Sequence, residues 1–214
     1  MIKCLQKLTE LIWPRGLQCL TCGELSGGKL LCPACAKALS EMKLPPEEAG
    51  DGPIRSVYQY DGVAKELVLH LKEDGLGDAA TVLARGMAEA IRTMNIPDGA
   101  VLTWVTMPPQ RRRKRWIDHG RQLCEEVARQ TGLPARQLLD RRGNLHTQRG
   151  LGREARLRNL TGSFICNEHI ASPVILVDDV LTTGATVTAV SEALKAAGAP
   201  CVYAVTATKV IIAR

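Results

Sequence analysis

Apolar and polar positions alternate between two periods along most of the chain. Residues 54–60 (IRSVYQY), 101–107 (VLTWVTM), 173–177 (PVILV) and 201–207 (CVYAVTA) are short runs rich in β-branched and aromatic residues, and they predict strands. The run 173–177 is continuously apolar, as expected of a central parallel strand covered on both faces. Helical stripes lie between these runs. Val63, Leu67 and Leu71 mark one over 62–74, a longer helix spans 76–95, another falls at about 119–131, and a fourth runs over 184–198 until Gly198 ends it. Residues 135–140 and 163–166 predict two further short strands, and the polar, Arg-rich stretch 141–160 predicts a loop or a mobile helix. Residues 1–13 carry Leu5, Leu8 and Ile12 at helical spacing before Trp13-Pro14, and residues 33–42 predict a brief helix opening with Pro33. Alternation of strand and helix predicts an α/β fold with a mostly parallel sheet flanked by helices.

One segment breaks the alternation. Residues 44–53 (LPPEEAGDGP) are Pro- and Gly-rich, acidic and without periodicity, which predicts a linker. The expected organisation is an N-terminal helix and small module over 1–43, the linker over 44–53, and the α/β domain over 54–214. A chain of 214 residues, 45% hydrophobic and 23% charged, can bury a core, and these proportions exclude disorder as its main state. No apolar run reaches the roughly 18–20 residues of a spanning helix, so no membrane insertion is expected. Lys7, Thr9 and Glu10 interrupt the apolar positions between Lys3 and Arg15, so no secretory signal is expected either. The cytoplasm is the expected compartment.

Charge is unevenly spread. Residues 111–158 hold 14 of the 28 Lys and Arg but only 5 of the 22 Asp and Glu, a net +9 against −3 for the rest of the chain. Such a block can neutralise phosphates in a small ligand or in a nucleic acid; the alternative is a solvated basic loop.

Four of the eight cysteines form two pairs, Cys19-x2-Cys22 and Cys32-x2-Cys35, separated by nine residues. A CxxC turn presents two thiolates to one ion, and a second turn completes the tetrahedron that zinc prefers. Gly23 and Pro33, each beside a cysteine, suit the tight turns, and 24–31 suits a hairpin between them. Four thiolates leave no position open for a substrate, so the expected zinc is structural. A redox role needs only one such pair. Cys4, Cys124, Cys166 and Cys201 are scattered and predict small core residues.

The densest chemistry lies in residues 174–186, VILVDDVLTTGAT. A buried strand is expected to end at Val177, with Asp178 and Asp179 at its carboxyl end, the place where ligands bind in open α/β sheets. The following loop of Thr182, Thr183, Gly184, Ala185 and Thr186 leads into a helix, and its N–H groups, hydroxyls and helix N-terminus favour a phosphate dianion. The two carboxylates suit ribose hydroxyls, directly or through magnesium. The stretch is neither a GxxxxGK phosphate loop nor a GxGxxG fingerprint.

These residues resemble the 5-phosphoribosyl-1-pyrophosphate (PRPP) motif of type I phosphoribosyltransferases. Together with the four-cysteine cluster, the chain resembles the ComF family of that superfamily (ComFC- and GntX-like proteins). Residues 58–74, the turn Pro108-Pro109 with RRRKR, and Gln148, Leu151, Arg156, Asn159 and Phe164 match further stretches of the family pattern. One departure is Trp116, where the family carries glycine ahead of the pair matched here by Asp118-His119. The resemblance implies that 54–214 is a phosphoribosyltransferase-like domain. Asp178 and Asp179 would hold the ribose and its magnesium, and Thr182, Thr183, Gly184, Ala185 and Thr186 would cradle the 5-phosphate. The turn Met107-Pro108-Pro109 would face the pyrophosphate, and Arg111, Arg112, Arg113, Lys114 and Arg115 would lie on a loop closing over it.

Lys72 is an additional anion contact or a surface lysine. Displacing pyrophosphate passes through an oxocarbenium-like state, and the PRPP loop has Thr182 where purine-salvage relatives commonly carry Asp. No catalytic residue is therefore assigned, although His119 and His146 are titratable near neutrality. Two functions follow. One, which the resemblance to the ComF family implies, is a PRPP-binding accessory protein of DNA uptake and natural transformation, handling imported single-stranded DNA beside other competence or recombination proteins. The other is an active magnesium-dependent phosphoribosyltransferase with an unidentified acceptor.

Overall fold

A computed structural model of the chain describes residues 17–50, 52–73, 77–106, 118–141 and 163–211. The helix expected over 1–13, the turn Met107-Pro108-Pro109, the basic run Arg111, Arg112, Arg113, Lys114 and Arg115, Trp116, and the segment with His146, Gln148, Leu151, Arg156 and Asn159 lie outside the described residues.

Four strands form one all-parallel sheet: β1 (Ile54–Gln59), β2 (Val101–Trp104), and two more that follow a small two-stranded piece. That piece pairs β3 (Asp140–Arg141) antiparallel with β4 (Phe164–Ile165). The last two strands are β5 (Val174–Leu181) and β6 (Val202–Lys209), and the sheet order is β1-β6-β5-β2. The helices are α1 (Pro33–Glu41), α2 (Pro46–Ala49), α3 (Gly62–Glu73), α4 (Asp78–Thr93), α5 (His119–Thr131) and α6 (Ala185–Ala196). The expected fold class, a mostly parallel sheet flanked by helices, is the one found.

Alternation along the central strand divides the core. Ile175 and Val177 join Leu67, Leu83, Met87, Leu102 and Leu123 in one apolar cluster beneath α3, α4 and α5. Val174 and Leu176 join Leu138, Val190 and Leu194 in a second cluster beneath α6. Burying such side chains contributes about 1.5–3 kcal/mol each, so both faces of β5 are strongly held. Cys124 of α5 is fully buried, and burial, with Glu125 nearby, pushes its thiol up to about 12; it is a core residue, as expected. Cys166 and Cys201 are only half-buried, because each stands at the margin of a strand rather than within the core.

Two expected strand bounds are corrected. β5 does not end at Val177 but continues to Leu181, because Asp178, Val180 and Leu181 keep pairing with Thr206, Thr208 and Lys209 of β6. Residues 135–139 form no regular strand; Ala135 makes a single bridge to Leu102, and Arg136 N–H donates to Leu102 O at 2.9 Å. Within 44–53, residues 46–49 form one helical turn, which Pro46 starts at the first helical position and Gly50 ends. Nearby, Leu44 N–H donates to Val57 O at 2.9 Å, so this stretch runs along the outer edge of β1.

Candidate functional site

The carboxyl end of β5 carries Asp178 and Asp179 as its fifth and sixth residues, half-buried and still within the ladder to β6. Asp178 Oδ1 accepts from Asp179 N–H at 2.9 Å. Beneath them runs a line of buried hydroxyls that the sequence analysis did not single out. Ser56 and Thr206 share a hydrogen bond of 2.7 Å, Thr206 Oγ1 donates to Thr208 O at 3.2 Å, and Thr208 Oγ1 donates to Asp179 O at 2.9 Å. The signal for it was the alternation of Thr206 and Thr208 in the last strand, which puts both side chains on one face.

Past Leu181 the loop of Thr182, Thr183 and Gly184 turns into α6. Gly184 is the N-cap at φ 77°, a left-handed backbone that glycine adopts without the Cβ penalty. No side chain caps the helix, and only Thr183 Oγ1 reaches back, accepting from Ala185 N–H at 3.4 Å. The remaining first-turn N–H groups are thus left for an anion. Thr182 is exposed, Thr183 and Thr186 are half-buried, and Ala185 is buried.

A lysine and a histidine from other elements converge on Asp179. Lys72, in the last turn of α3, places Nζ 2.9 Å from Asp179 Oδ2. His119, the first residue of α5, places Nε2 3.7 Å from the same oxygen. Asp118 fixes the start of α5 by accepting from Arg121 N–H at 3.2 Å. Gly120 lets the helix approach β2: a Cβ there would stand 3.3 Å from Val105 O. Lys72 therefore faces a carboxylate rather than open solvent, and of the two histidines named from the sequence His119 is the one seen at the site. Burial first, then the Asp179 charge, raise the Asp178 carboxyl to about 7, while Asp179 N–H and Lys72 pull it down.

Residue types here fit a hard divalent cation such as magnesium, which takes oxygen ligands. The observation that fits it is Asp179 Oδ2, buried with no aligned hydrogen bond although Lys72 Nζ lies close. A separate groove of about 250 Å³, lined in part by Ile54, Thr188, Glu192, Lys195 and Tyr203, shares no residue with this cluster. It reaches the amino ends of β1 and β6, whereas ligands of parallel sheets gather at the carboxyl ends.

The four-cysteine cluster forms a second centre. The ligand atoms of Cys19, Cys22, Cys32 and Cys35 all lie within 4.8 Å of one another. Gly23 N–H donates to Cys19 O at 3.0 Å and Cys19 N–H to Glu24 O at 2.7 Å, closing the first turn. Cys32 caps α1, accepting from Cys35 N–H at 3.5 Å, which closes the second. Leu20 N–H donates to Leu30 O at 2.9 Å and Gln18 bridges Leu25 antiparallel, so 25–30 folds back on 17–20 rather than forming a hairpin within 24–31. Burial disfavours the Cys19 thiolate, but hydrogen bonds from Thr21 and from backbone N–H groups outweigh it and hold the thiol down to about 5. Cys22 goes the other way, to about 12: the Glu24 N–H favours its thiolate, but burial and the three neighbouring cysteines prevail. Four sulfurs this close are placed to hold one metal ion, which would take them as thiolates. Its buried Cys19, Leu31, Cys32 and Leu39 belong to the same apolar cluster as Leu67 and Leu83.

No family model matches the chain, and no curated protein matches it. Solved structures similar to it include adenine phosphoribosyltransferase from Leishmania donovani, at 14% identity and TM-score 0.42 over 76% of this chain and 73% of that one. UMP synthase from Leishmania donovani is similar at 16% identity and TM-score 0.40, over 81% of this chain and 30% of that one. Adenine phosphoribosyltransferase from Leishmania tarentolae is similar at 19% identity and TM-score 0.37, over 60% of this chain and 56% of that one. The chain thus spans about half the length, or less, of the last two. The likeness is one of fold layout. Among the described residues, no helix is long and apolar enough to cross a membrane.

Proposed function

We propose that this chain is a PRPP-binding, phosphoribosyltransferase-like protein that takes its ligand with a magnesium ion. The observation that carries the reading is the junction of β5 and α6. Two adjacent carboxylates stand in the carboxyl-terminal half of the strand, and past Leu181 a hydroxyl loop turns at Gly184 into an uncapped helix N-terminus. A sugar phosphate has both chemistries in one molecule: hydroxyls for the carboxylates and a dianion for the loop. Asp178 and Asp179 would hold the ribose hydroxyls and the cation, which supplies charge neutralisation for the pyrophosphate. Thr182, Thr183, Gly184, Ala185 and Thr186 would hold the 5-phosphate. The four-cysteine cluster would hold a structural zinc, its four sulfur donors matching that metal's preference.

The test is calorimetric titration of PRPP with magnesium into the wild type and Asp179→Ala. A charge-assisted contact contributes about 1.5–3 kcal/mol, so the variant is expected to lose roughly tenfold or more in affinity. Equal affinities would place the ligand elsewhere.

Two uses of that ligand are compatible with this site. A role in DNA uptake, with single-stranded DNA and competence partners in the cytoplasm, is supported by the +9 of residues 111–158. It predicts a steep salt dependence of DNA binding that flattens when Arg111, Arg112 and Arg113 are changed to Ala, by about 0.7 in log–log slope per lost phosphate contact. Active transfer to an unidentified acceptor is supported by an imidazole at the site, His119, whose Nε2 lies 3.7 Å from Asp179 Oδ2. Pyrophosphate release with a nucleobase, at a wild-type salt slope in the triple variant, would favour transfer.

A further inference from the structure

Lys72 gives the carboxylate pair a property that its sequence motif does not contain. The inference rests on the PRPP reading above and deepens it. We propose that Lys72 is an internal counter-ion that competes with the divalent cation for Asp179, so that the site takes the cation strongly only together with PRPP.

Three observations carry this. The Asp179 side chain is only 12% exposed, and Lys72 Nζ already stands 2.9 Å from its Oδ2. A magnesium ion ligated at that oxygen, about 2.0–2.1 Å from it, would lie within a few Å of the ammonium. The two positive charges repel, so each weakens the hold of the other on Asp179. Second, His119 reaches the same oxygen from the opposite element, at 3.7 Å, so the approach is flanked by basic groups on α3 and α5 and the other carboxylate, Asp178, adjoins it on β5. Third, Lys72 lies in the last turn of its helix with a side chain 27% exposed. A lysine is a point charge on a flexible four-carbon stem, able to swing from a carboxylate to a phosphate. An arriving pyrophosphate offers the ammonium a replacement partner, and the vacated carboxylate can then take the cation. Cation and PRPP are thereby coupled: each lowers the cost of binding the other, by the same factor.

The test uses the full chain and Mn²⁺ as a paramagnetic probe, with all variants compared at one fixed pH. Wild type is expected to bind free Mn²⁺ weakly and to bind it more tightly when PRPP is present. Lys72→Met and Lys72→Gln are expected to bind Mn²⁺ without PRPP about tenfold or more tightly than wild type, with a smaller gain on adding PRPP. Lys72→Arg keeps the positive charge and is expected to keep the weak Mn²⁺ binding of wild type. Thermal melts identify which variants are folded, and the two neutral substitutions back each other up. If PRPP binds wild type but neither neutral variant gains affinity for Mn²⁺ alone, the counter-ion is overturned. If wild type binds no PRPP at any Mn²⁺ concentration, the PRPP reading and the coupling fall together.

Discussion

Asp178→Asn separates stability from binding at this site. The carboxyl of Asp178 lies near 7 in the folded chain against 3.8 for an ordinary aspartate, chiefly through burial and then through the Asp179 charge. Between about pH 4 and pH 7 the folded state therefore binds a proton that the unfolded state has released. Stability must fall as pH rises through that window, by up to about 1.4 kcal/mol per pH unit for one proton. Across roughly three units the loss is on the order of 4 kcal/mol, complete above about pH 7. An asparagine cannot ionise, and its side-chain oxygen can still accept the Asp179 N–H bond of 2.9 Å. The variant should match wild type near pH 4 and exceed it by a few kcal/mol at pH 8, while losing affinity for magnesium and PRPP. Urea denaturation of both proteins at half-unit pH steps, without divalent ions, measures the difference directly. A wild-type-minus-variant curve that is flat from pH 4 to 8 would refute the claim that burial and the Asp179 charge raise this carboxyl. Such an exchange of stability for binding is expected where a strand end is built for a ligand.

Two other outcomes test the framework. Cys32→Ser keeps a capping oxygen for Cys35 N–H but removes one of four sulfur donors, so elemental analysis should show the roughly one zinc per chain expected of wild type fall sharply, with amide exchange rising over 17–43 and staying low in β5 and β6. Gly184→Ala adds a Cβ that meets nothing within 4 Å, so its cost comes from the left-handed backbone alone: about 1–2 kcal/mol in denaturation, together with weaker PRPP binding in calorimetry.

Local pattern alone determined a good deal of this protein. Short runs rich in β-branched and aromatic residues marked β1, β2, β5 and β6, and the unbroken apolar run 173–177 marked β5 as the strand covered on both faces. The spacing of Val63, Leu67 and Leu71 marked α3, because a helix covering a sheet needs one apolar stripe. The two CxxC turns are local as well: each is fixed by hydrogen bonds within a few residues, so their spacing is visible without the fold. Tertiary structure decided the rest. Asp178 and Val180 lie in a strand because β6 offers Thr206 and Thr208 as partners, although two aspartates are poor strand formers. Residues 135–139 stay irregular because only Ala135 finds a bridging partner, at Leu102. The meeting of Lys72, His119 and Asp179 joins residues 47 and 60 positions apart in sequence. No periodicity encodes that distance, since it is set by how α3 and α5 pack over the same face of the sheet. Electrostatics at the site follows from the same packing: burial, which sequence does not display, raises Asp178 and leaves Asp179 facing a lysine.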